Sequence, residues 1–146
     1  MKVAIDTNVM AYAEGIGDPL RCNKARALVE KIPLELVVLP AQTLGELYRV
    51  LTANGGFDSV AARASILSWA DTFEIADSTW RAFKSAFDLG MDHKLHIWDA
   101  LILSVAAENG CRILLSEDFQ PGFTWHGVTV VNPFLDESSP LLRGII

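Results

Sequence analysis

The sequence predicts an α/β fold, a three-layer α/β/α sandwich with a mainly parallel, roughly five-stranded sheet. Short apolar segments alternate along the chain with longer segments that have helical periodicity. The apolar segments lack the alternation of polar and apolar residues found in half-solvated strands, which favours parallel strands covered on both faces. With 146 residues, 51% of them hydrophobic, we expect one domain over 1–146 with a substantial core.

Capping and turn residues predict the element boundaries in the first half of the chain. Asp18-Pro19 is typical of an N-cap followed by proline at the first helical position, and Gly55-Gly56 is a stop signal. The predicted elements are, in order, a strand at 2–5, a turn at 6–8 that caps a helix at 9–14, a helix from 19 to about 31, a strand at 36–39 and a helix at 41–53.

The second half continues the same alternation. Asp58-Ser59 opens a helix, and Asp77-Ser78 is expected to start another that runs to about residue 89, with Gly90 as its stop signal. Trp69 and Trp80 fall on helical patterns and are predicted to lie in the core. The remaining elements are a strand at 73–76, a very apolar helix at 98–108, strands at 111–115 and 128–131, and, after polar residues 136–139, an apolar tail from about 140 that we expect to be packed.

Composition narrows the functional class. The formal net charge of −6 disfavours broad, nonspecific coating of nucleic acid, although metal-binding carboxylates would themselves lower the formal charge. Cys22 and Cys111 lack metal-ligand spacing, so free buried thiols are expected. The chain shows no secretory signal and no apolar run of ~18 residues, and we expect a cytoplasmic protein without a membrane partner.

Four acidic residues stand at the edges of apolar segments. Asp6 and Asp118 follow the first and fourth predicted strands, Asp99 opens the apolar helix, and Glu46 lies on the helix after the second strand. Because the carboxyl ends of parallel strands share one edge of a sheet, at least Asp6, Asp99 and Asp118 are expected to converge there. Carboxylates brought together repel one another, and a divalent cation is the simplest partner that removes the conflict.

Each acid taken alone also has an ordinary structural explanation. Asp6 suits a turn, and Asp99 suits the first turn of a helix, where free N–H groups favour an anion. Glu46 suits the solvent-facing side of an amphipathic helix. Asp118 suits a loop, in which Glu117 competes with it for any role. The four acids together are therefore more informative than any one of them.

The acids lie in motifs that resemble those of PIN-domain ribonucleases. The resemblance extends from residue 2 to about 134, and the order and spacing most resemble the toxin of VapBC-type toxin–antitoxin pairs. The motifs are Asp6-Thr7-Asn8 after the first strand, Leu44-Gly45-Glu46-Leu47 on a mid-chain helix, Trp98-Asp99-Ala100-Leu101-Ile102, and Leu115-Ser116-Glu117-Asp118-Phe119.

This resemblance implies a catalytic pocket and its metal. It implies that Asp6, Glu46, Asp99 and Asp118 bind Mg²⁺ or Mn²⁺ and carry the hydrolysis of RNA, leaving 5′-phosphate and 3′-hydroxyl ends. Ser116 stands where the family often has a hydroxyl residue; it orients a water or a carboxylate, or is simply a turn-forming serine. The resemblance also implies a cognate antitoxin that covers the pocket, and a homodimer.

The roles of several neighbouring polar residues stay open at this stage. An N-cap role is sufficient to explain Asn8. Arg49 shares a helix with Glu46, and Lys94 and His96 precede Asp99, so these three could contact RNA, but solvated surface positions are favoured. Trp98 could pack in the hydrophobic core or stack on an RNA base.

Other functional classes remain as alternatives. A phosphohydrolase of the haloacid-dehalogenase kind also has an aspartate after the first strand, but requires a second one where this chain has Asn8. A receiver-like phosphoacceptor domain requires paired acids before the first helix and a lysine after the last strand, and neither is present. A noncatalytic PIN-like interaction module, in which the acids hold only a structural ion, is the third alternative.

Overall fold

The computed structural model describes residues 1–135 and 139–146 and shows a six-stranded sheet between two layers of helices. The predicted fold class is therefore confirmed. The strand order is β3-β2-β1-β4-β6-β5. All neighbouring strands pair in parallel except β5, which is antiparallel to β6 at one edge. The strands are β1 (Lys2–Ile5), β2 (Val37–Pro40), β3 (Glu74–Ala76), β4 (Cys111–Leu115), β5 (Thr124–Trp125) and β6 (Val128–Val131).

Within residues 1–135 and 139–146, seven α-helices and a short 3-10 helix at Leu34–Leu36 connect or follow these strands. Among the described residues, none of them is long and apolar enough to cross a membrane. Asp18 and Asp58 cap the second and fourth helices through side-chain bonds to Arg21 and Ala61, as their positions predicted. The helices are α1 (Thr7–Ala13), α2 (Pro19–Lys31), α3 (Ala41–Ala53), α4 (Ser59–Thr72), α5 (Trp80–His93), α6 (Ile97–Glu108) and α7 (Pro140–Arg143).

Alternate residues of each buried strand enter two separate cores. Val3 and Ile5 of β1 join the core beneath α1, α2, α3 and α4, whereas Ala4 joins the core beneath α5 and α6. The apolar tail contributes to the first core through Leu142, which is 5% exposed. The polar stretch predicted to precede that tail lies, at residues 136–138, outside the described residues.

Three predictions in the second half of the chain are wrong. Helix α5 does not start at Asp77-Ser78, because Thr79 is its N-cap and accepts a hydrogen bond from the Ala82 N–H at 3.0 Å. Gly90 does not stop α5, which continues to His93 and ends where Lys94 adopts a left-handed conformation. Trp80 is 67% exposed, because α5 buries its Ala82, Ala86 and Leu89 face instead.

Smaller differences concern strands and cysteines. The two-residue strand β5 was not predicted, because a segment this short has no periodicity to detect. Trp69 is buried as predicted, with its indole N–H donating to Glu14. Cys22 and Cys111 are buried free thiols, as their spacing predicted.

Candidate functional site

The site lies where the strand order reverses. From β1 the chain proceeds to β2 and β3 on one side, and then crosses to β4 and β6 on the other. Ile5 and Leu115 are paired at the ends of β1 and β4, and the Asp6 N–H donates to the Leu115 carbonyl at 2.9 Å. Asp6 and Ser116 therefore leave adjacent strands at the kind of switch point where open α/β sheets bind ligands.

Asp6 is a buried carboxylate with hydrogen bonds to both oxygens. The residue is only 2% exposed to solvent. Oδ1 accepts a hydrogen bond from the Thr7 N–H at 2.7 Å, and Oδ2 accepts one from the Ser116 hydroxyl at 2.7 Å. Asp6 is thus the N-cap of α1. The N-cap role predicted for Asn8 is wrong, because Asn8 lies inside α1.

Ser116 connects three parts of the site. It is fully buried, and its hydroxyl donates to Asp6 while accepting from the Asn8 amide at 3.3 Å and from the Asp118 N–H at 3.1 Å. The Asn8 carbonyl oxygen in turn accepts from the Glu117 N–H at 3.4 Å. Ser116 and Asn8 therefore hold the loop that carries Asp118 against Asp6.

Glu46 is half-buried, and side chains hold both of its oxygens. The Thr7 hydroxyl donates to Oε2 at 2.8 Å, and the Gln42 amide donates to Oε1 at 2.6 Å. The same amide nitrogen donates to the Trp98 carbonyl at 3.2 Å. Since both neighbours are acceptors, only the NH₂ group of Gln42 can face them. Gln42 therefore connects α3 to the first turn of α6.

Thr7 and Gln42 were not identified from the sequence as parts of the site. Gln42 precedes Glu46 by four residues, a spacing that places two helical side chains on the same face and could have identified it. The bond from Thr7 crosses between two helices, so no local spacing indicates it.

Asp99 lies in the first turn of α6 and is half-buried. His96 is the N-cap of this helix, with its ring Nδ1 accepting from the Trp98 N–H at 3.4 Å. The fold thus brings Asp99 close to the other acids through the α6 terminus, where free backbone N–H groups favour an anionic side chain.

The four acids repel one another. Burial raises the pKa of Asp6 to about 7; the Ser116 and Thr7 hydrogen bonds oppose this shift, and the charges of Asp118 and Asp99 add to it. Burial also raises the pKa of Asp99, and the charges of Asp118 and Glu46 add to it. In the part of the chain that the structure describes, none of the four acids forms an ion pair.

The donor atoms suit a hard divalent cation. Carboxylate oxygens are among the ligands that Mg²⁺ and Mn²⁺ prefer. Such an ion would favour the ionised forms of Asp6 and Asp99, whose pKa values are raised chiefly by burial and further by the charges of neighbouring acids. Within residues 1–135 and 139–146, no three His, Cys, Asp or Glu side chains are close enough together to form a ready-made metal site. The residues therefore fit the ion in chemistry, but the structure does not assemble a complete coordination shell.

Glu117, the neighbour of Asp118 that could also have been the acid of the site, instead binds Tyr12 and Arg21. The Tyr12 hydroxyl donates to one Glu117 oxygen at 2.6 Å, and the Arg21 guanidinium lies 3.3 Å from the other. Burial together with the Glu117 hydrogen bond raises the pKa of Tyr12 to about 12. Glu117 therefore fastens the loop to α1 and α2, whereas Asp118 is exposed.

The absence of a side chain at Gly17 leaves room for the Tyr12 ring, which binds Glu117. Gly17 has φ of +118°, and a Cβ there would lie 2.5 Å from the Tyr12 ring. We expect Gly17→Ala to lower the free energy of unfolding by about 1–3 kcal/mol, through backbone strain and displacement of the ring. The measurement is urea denaturation of both proteins.

Gly45→Ala is the matched control for that experiment. Gly45 lies inside α3, and nothing stands within 4 Å of a Cβ built there. Alanine should therefore raise stability by about 0.5–1 kcal/mol. Equal effects of the two substitutions would contradict the role assigned to Gly17.

A cleft of about 660 Å³ opens beside the acids, between α1 and α3. Glu46 and Asp118 line it, and so does the exposed guanidinium-bearing residue Arg49. Apolar side chains such as Ile16 and Val50 line it as well. The cleft can therefore receive a chain with both charged and apolar groups.

Comparisons with known proteins agree with this architecture. The sequence model of the PIN domain matches residues 3–121. No curated protein sequence matches the chain significantly. The structure is similar to that of the sarcin–ricin-loop-cleaving toxin VapC20 of Mycobacterium tuberculosis, with 21% identity, a TM-score of 0.69, and coverage of 80% of this chain and 90% of that one.

Two further solved structures show the same fold. A toxin–antitoxin complex from Klebsiella pneumoniae has 20% identity and a TM-score of 0.69 and covers 91% of this chain and 98% of its own. FitAcB from Neisseria gonorrhoeae has 18% identity and a TM-score of 0.63 and covers 90% of this chain and 98% of its own.

Proposed function

Because the chain belongs to the PIN-domain family, we propose that it is a metal-dependent endoribonuclease and the toxin component of a type II toxin–antitoxin system. One observation supports the proposal: four acids whose charges act on one another lie around the switch point of the sheet, and among the described residues none of them forms an ion pair. Burial raises the pKa of Asp6 to about 7, and the charges of Asp118 and Asp99 add to that shift, so a cation at this position would favour the ionised carboxylate.

We assign the acids distinct roles around Mg²⁺ or Mn²⁺. Asp6 and Asp99 are direct ligands, and Asp118 and Glu46 complete the pocket directly or through water. The bound ion would lower the pKa of a water nucleophile and offset charge that develops on the scissile phosphate. Asp6 is oriented for this role by Ser116, which holds one of its oxygens at 2.7 Å.

The supporting residues keep the carboxylates in place. Thr7 and Gln42 hold Glu46 through hydrogen bonds of 2.8 and 2.6 Å. Each bond is made to a different oxygen of the carboxyl group, so the two together fix its orientation. Arg49, on the wall of the cleft, is placed to contact an RNA phosphate.

The hydrogen bonds of Asn8 argue against the haloacid-dehalogenase alternative. Both ends of its side-chain amide are engaged, with Ser116 and with the Glu117 N–H. Asn8 therefore contributes to the geometry of the loop, and an acid serving as a proton donor is missing at that position. The noncatalytic alternative, in which the acids hold a structural ion, is decided by an activity assay.

The assay is cleavage of a structured RNA with Mn²⁺, with Mg²⁺ and with excess chelator. We expect cleavage with either ion and none with chelator. Structured RNA is a suitable first substrate because one similar structure is a toxin that cleaves the sarcin–ricin loop. Cleavage that persists in chelator would refute metal dependence, and absence of cleavage in every condition would favour the noncatalytic alternative.

We also propose two protein partners, a cognate antitoxin and a second copy of this chain. Similar structures include toxin–antitoxin complexes, which supports the first. The cleft beside Glu46 and Asp118 has both charged and apolar walls, so an antitoxin segment there would cover the acids and block RNA. Inhibition of cleavage by the product of a neighbouring open reading frame would test this assignment.

A further inference from the structure

Gln42 holds two parts of the candidate site with a single NH₂ group. It lies in the first turn of α3, directly after β2. Its amide nitrogen donates to Glu46 Oε1 at 2.6 Å and to the Trp98 carbonyl at 3.2 Å. Asp99 follows Trp98 in the first turn of α6, so Gln42 connects one acid of the proposed pocket to the backbone beside another.

The oxygen of the same amide has no partner among the described residues. Gln42 Oε1 is buried and accepts no hydrogen bond, and within residues 1–135 and 139–146 it is the only buried side-chain nitrogen or oxygen in this condition. An unpaired buried acceptor costs free energy, because the atom loses its hydrogen bonds to water and gains none in the protein. The polar side-chain atom that the fold satisfies least well therefore lies at the candidate site.

The unpaired oxygen follows from the orientation of the amide. Turning the amide over would place Oε1 against Glu46 Oε1 and the Trp98 carbonyl, which are both acceptors, and would break both hydrogen bonds. The observed orientation therefore gives Glu46 and Trp98 a donor and leaves the oxygen of Gln42 without one.

Fold stability alone does not account for this arrangement. Glu46 is only half-buried, so water can solvate an oxygen that Gln42 does not hold. The Trp98 carbonyl is in the first turn of α6, where carbonyls accept from N–H groups of the next turn. Helix α3 is anchored in the core by Leu47 and Leu51, which are fully buried. An unpaired buried polar group with no evident stabilising effect indicates a functional role.

The hydrogen bonds of Glu46 relate its position to both aspartates proposed as direct metal ligands. The Thr7 hydroxyl donates to Oε2 at 2.8 Å, and Thr7 follows Asp6 in the chain. Gln42 binds Oε1 and also the carbonyl of the residue before Asp99. Thr7 therefore fixes Glu46 relative to Asp6, whereas Gln42 fixes it relative to Asp99.

We propose that Gln42 is a positioning residue of the metal site, which sets the placement of Glu46 relative to Asp99 without binding the ion itself. Hydrogen-bond partners of metal ligands orient those ligands, and loss of one commonly lowers metal affinity by about 10- to 100-fold. The inference rests on the proposed metal-dependent function and deepens it, because it gives Gln42 a role in ion affinity that is separate from folding.

The test measures Mn²⁺ affinity and fold stability of Gln42→Met in the purified chain without RNA. Methionine is similar in length but has neither the amide donors nor the unpaired oxygen. Calorimetry should give a dissociation constant about 10- to 100-fold higher than that of the native chain. Urea denaturation of the metal-free protein should give an unchanged or higher midpoint, because the unpaired acceptor is gone. A residue with only a structural role would lower the midpoint.

Two further proteins make the test specific. Gln120→Met is the matched control, because Gln120 is exposed in the loop after β4 and its replacement should change neither affinity nor midpoint. A Glu46→Gln background tests whether Gln42 acts through Glu46. There, Gln42→Met should lower Mn²⁺ affinity by less than about threefold, because the carboxylate that it positions is absent.

The possible failures of this inference and of the proposed function are distinguishable. Native Mn²⁺ affinity in Gln42→Met, a lowered denaturation midpoint, or an equal loss of affinity in the Glu46→Gln background would overturn the role of Gln42 and leave the metal site standing. Absence of saturable Mn²⁺ binding to the native chain would overturn the proposed metal-dependent function, and the role of Gln42 with it.

Discussion

Asp99→Asn is expected to lower RNA cleavage by about 10²- to 10³-fold or more, with the fold left intact. Asparagine keeps the size of the side chain but removes the negative charge proposed to bind the metal. Burial and the charges of Asp118 and Glu46 already disfavour ionised Asp99, so removing its charge should leave the melting temperature unchanged or raise it. The measurements are single-turnover cleavage with Mn²⁺ and thermal unfolding.

Asp71→Asn is the control for that experiment. Asp71 is an exposed acid on α4 and lies outside the proposed pocket, so its replacement should change neither cleavage nor melting temperature. Native cleavage by Asp99→Asn would remove Asp99 from the proposed site. A loss of activity accompanied by unfolding would contradict the expectation that the fold is left intact.

The stability of the metal-free protein is expected to fall as the pH rises from about 4 to 7. In the folded chain the buried Asp6 carboxyl has a pKa of about 7, against 3.8 for an unperturbed aspartate. Between these values the folded state retains a proton that the unfolded state has released, so raising the pH favours unfolding. Asp6 alone should account for a loss of about 4 kcal/mol, which is complete near pH 7. Asp99 contributes in the same direction.

Comparison with Asp6→Asn isolates the contribution of Asp6. Asparagine retains the Oδ1 atom that accepts from the Thr7 N–H, so it can still cap α1. Urea denaturation at several pH values should show a flatter pH dependence for the variant, because other titrating groups are common to both proteins. Identical slopes would show that Asp6 titrates normally.

The positions of Asp6, Asp99 and Asp118 were predictable because they depend on local sequence and on one topological rule, whereas that of Glu46 rested mostly on the family resemblance. Apolar segments in which polar and apolar residues do not alternate indicate parallel strands. Residues that follow such strands lie at the same edge of the sheet. Asp6 and Asp118 follow β1 and β4, which are indeed neighbours at the switch point. The roles proposed for these acids in catalysis stay predictions.

Contacts between elements that are distant in sequence were not predictable in the same way. Asn8 looked like an N-cap because it is near the start of a helix, but its partners are Ser116 and Glu117, more than a hundred residues away. Trp80 looked like a core residue because it fits a helical pattern, yet periodicity does not reveal which face a helix buries when small residues form that face. Alanines allow close packing of α5 on α6, and the aromatic residues are left outside.

Titration of Mn²⁺ into the purified chain by calorimetry tests the metal site most directly. The four-acid site predicts saturable binding of about one or two ions per chain, release of protons near pH 7 as Asp6 ionises, and loss of binding in Asp99→Asn. Absence of saturable binding to the native chain, or native binding by Asp99→Asn, would contradict it.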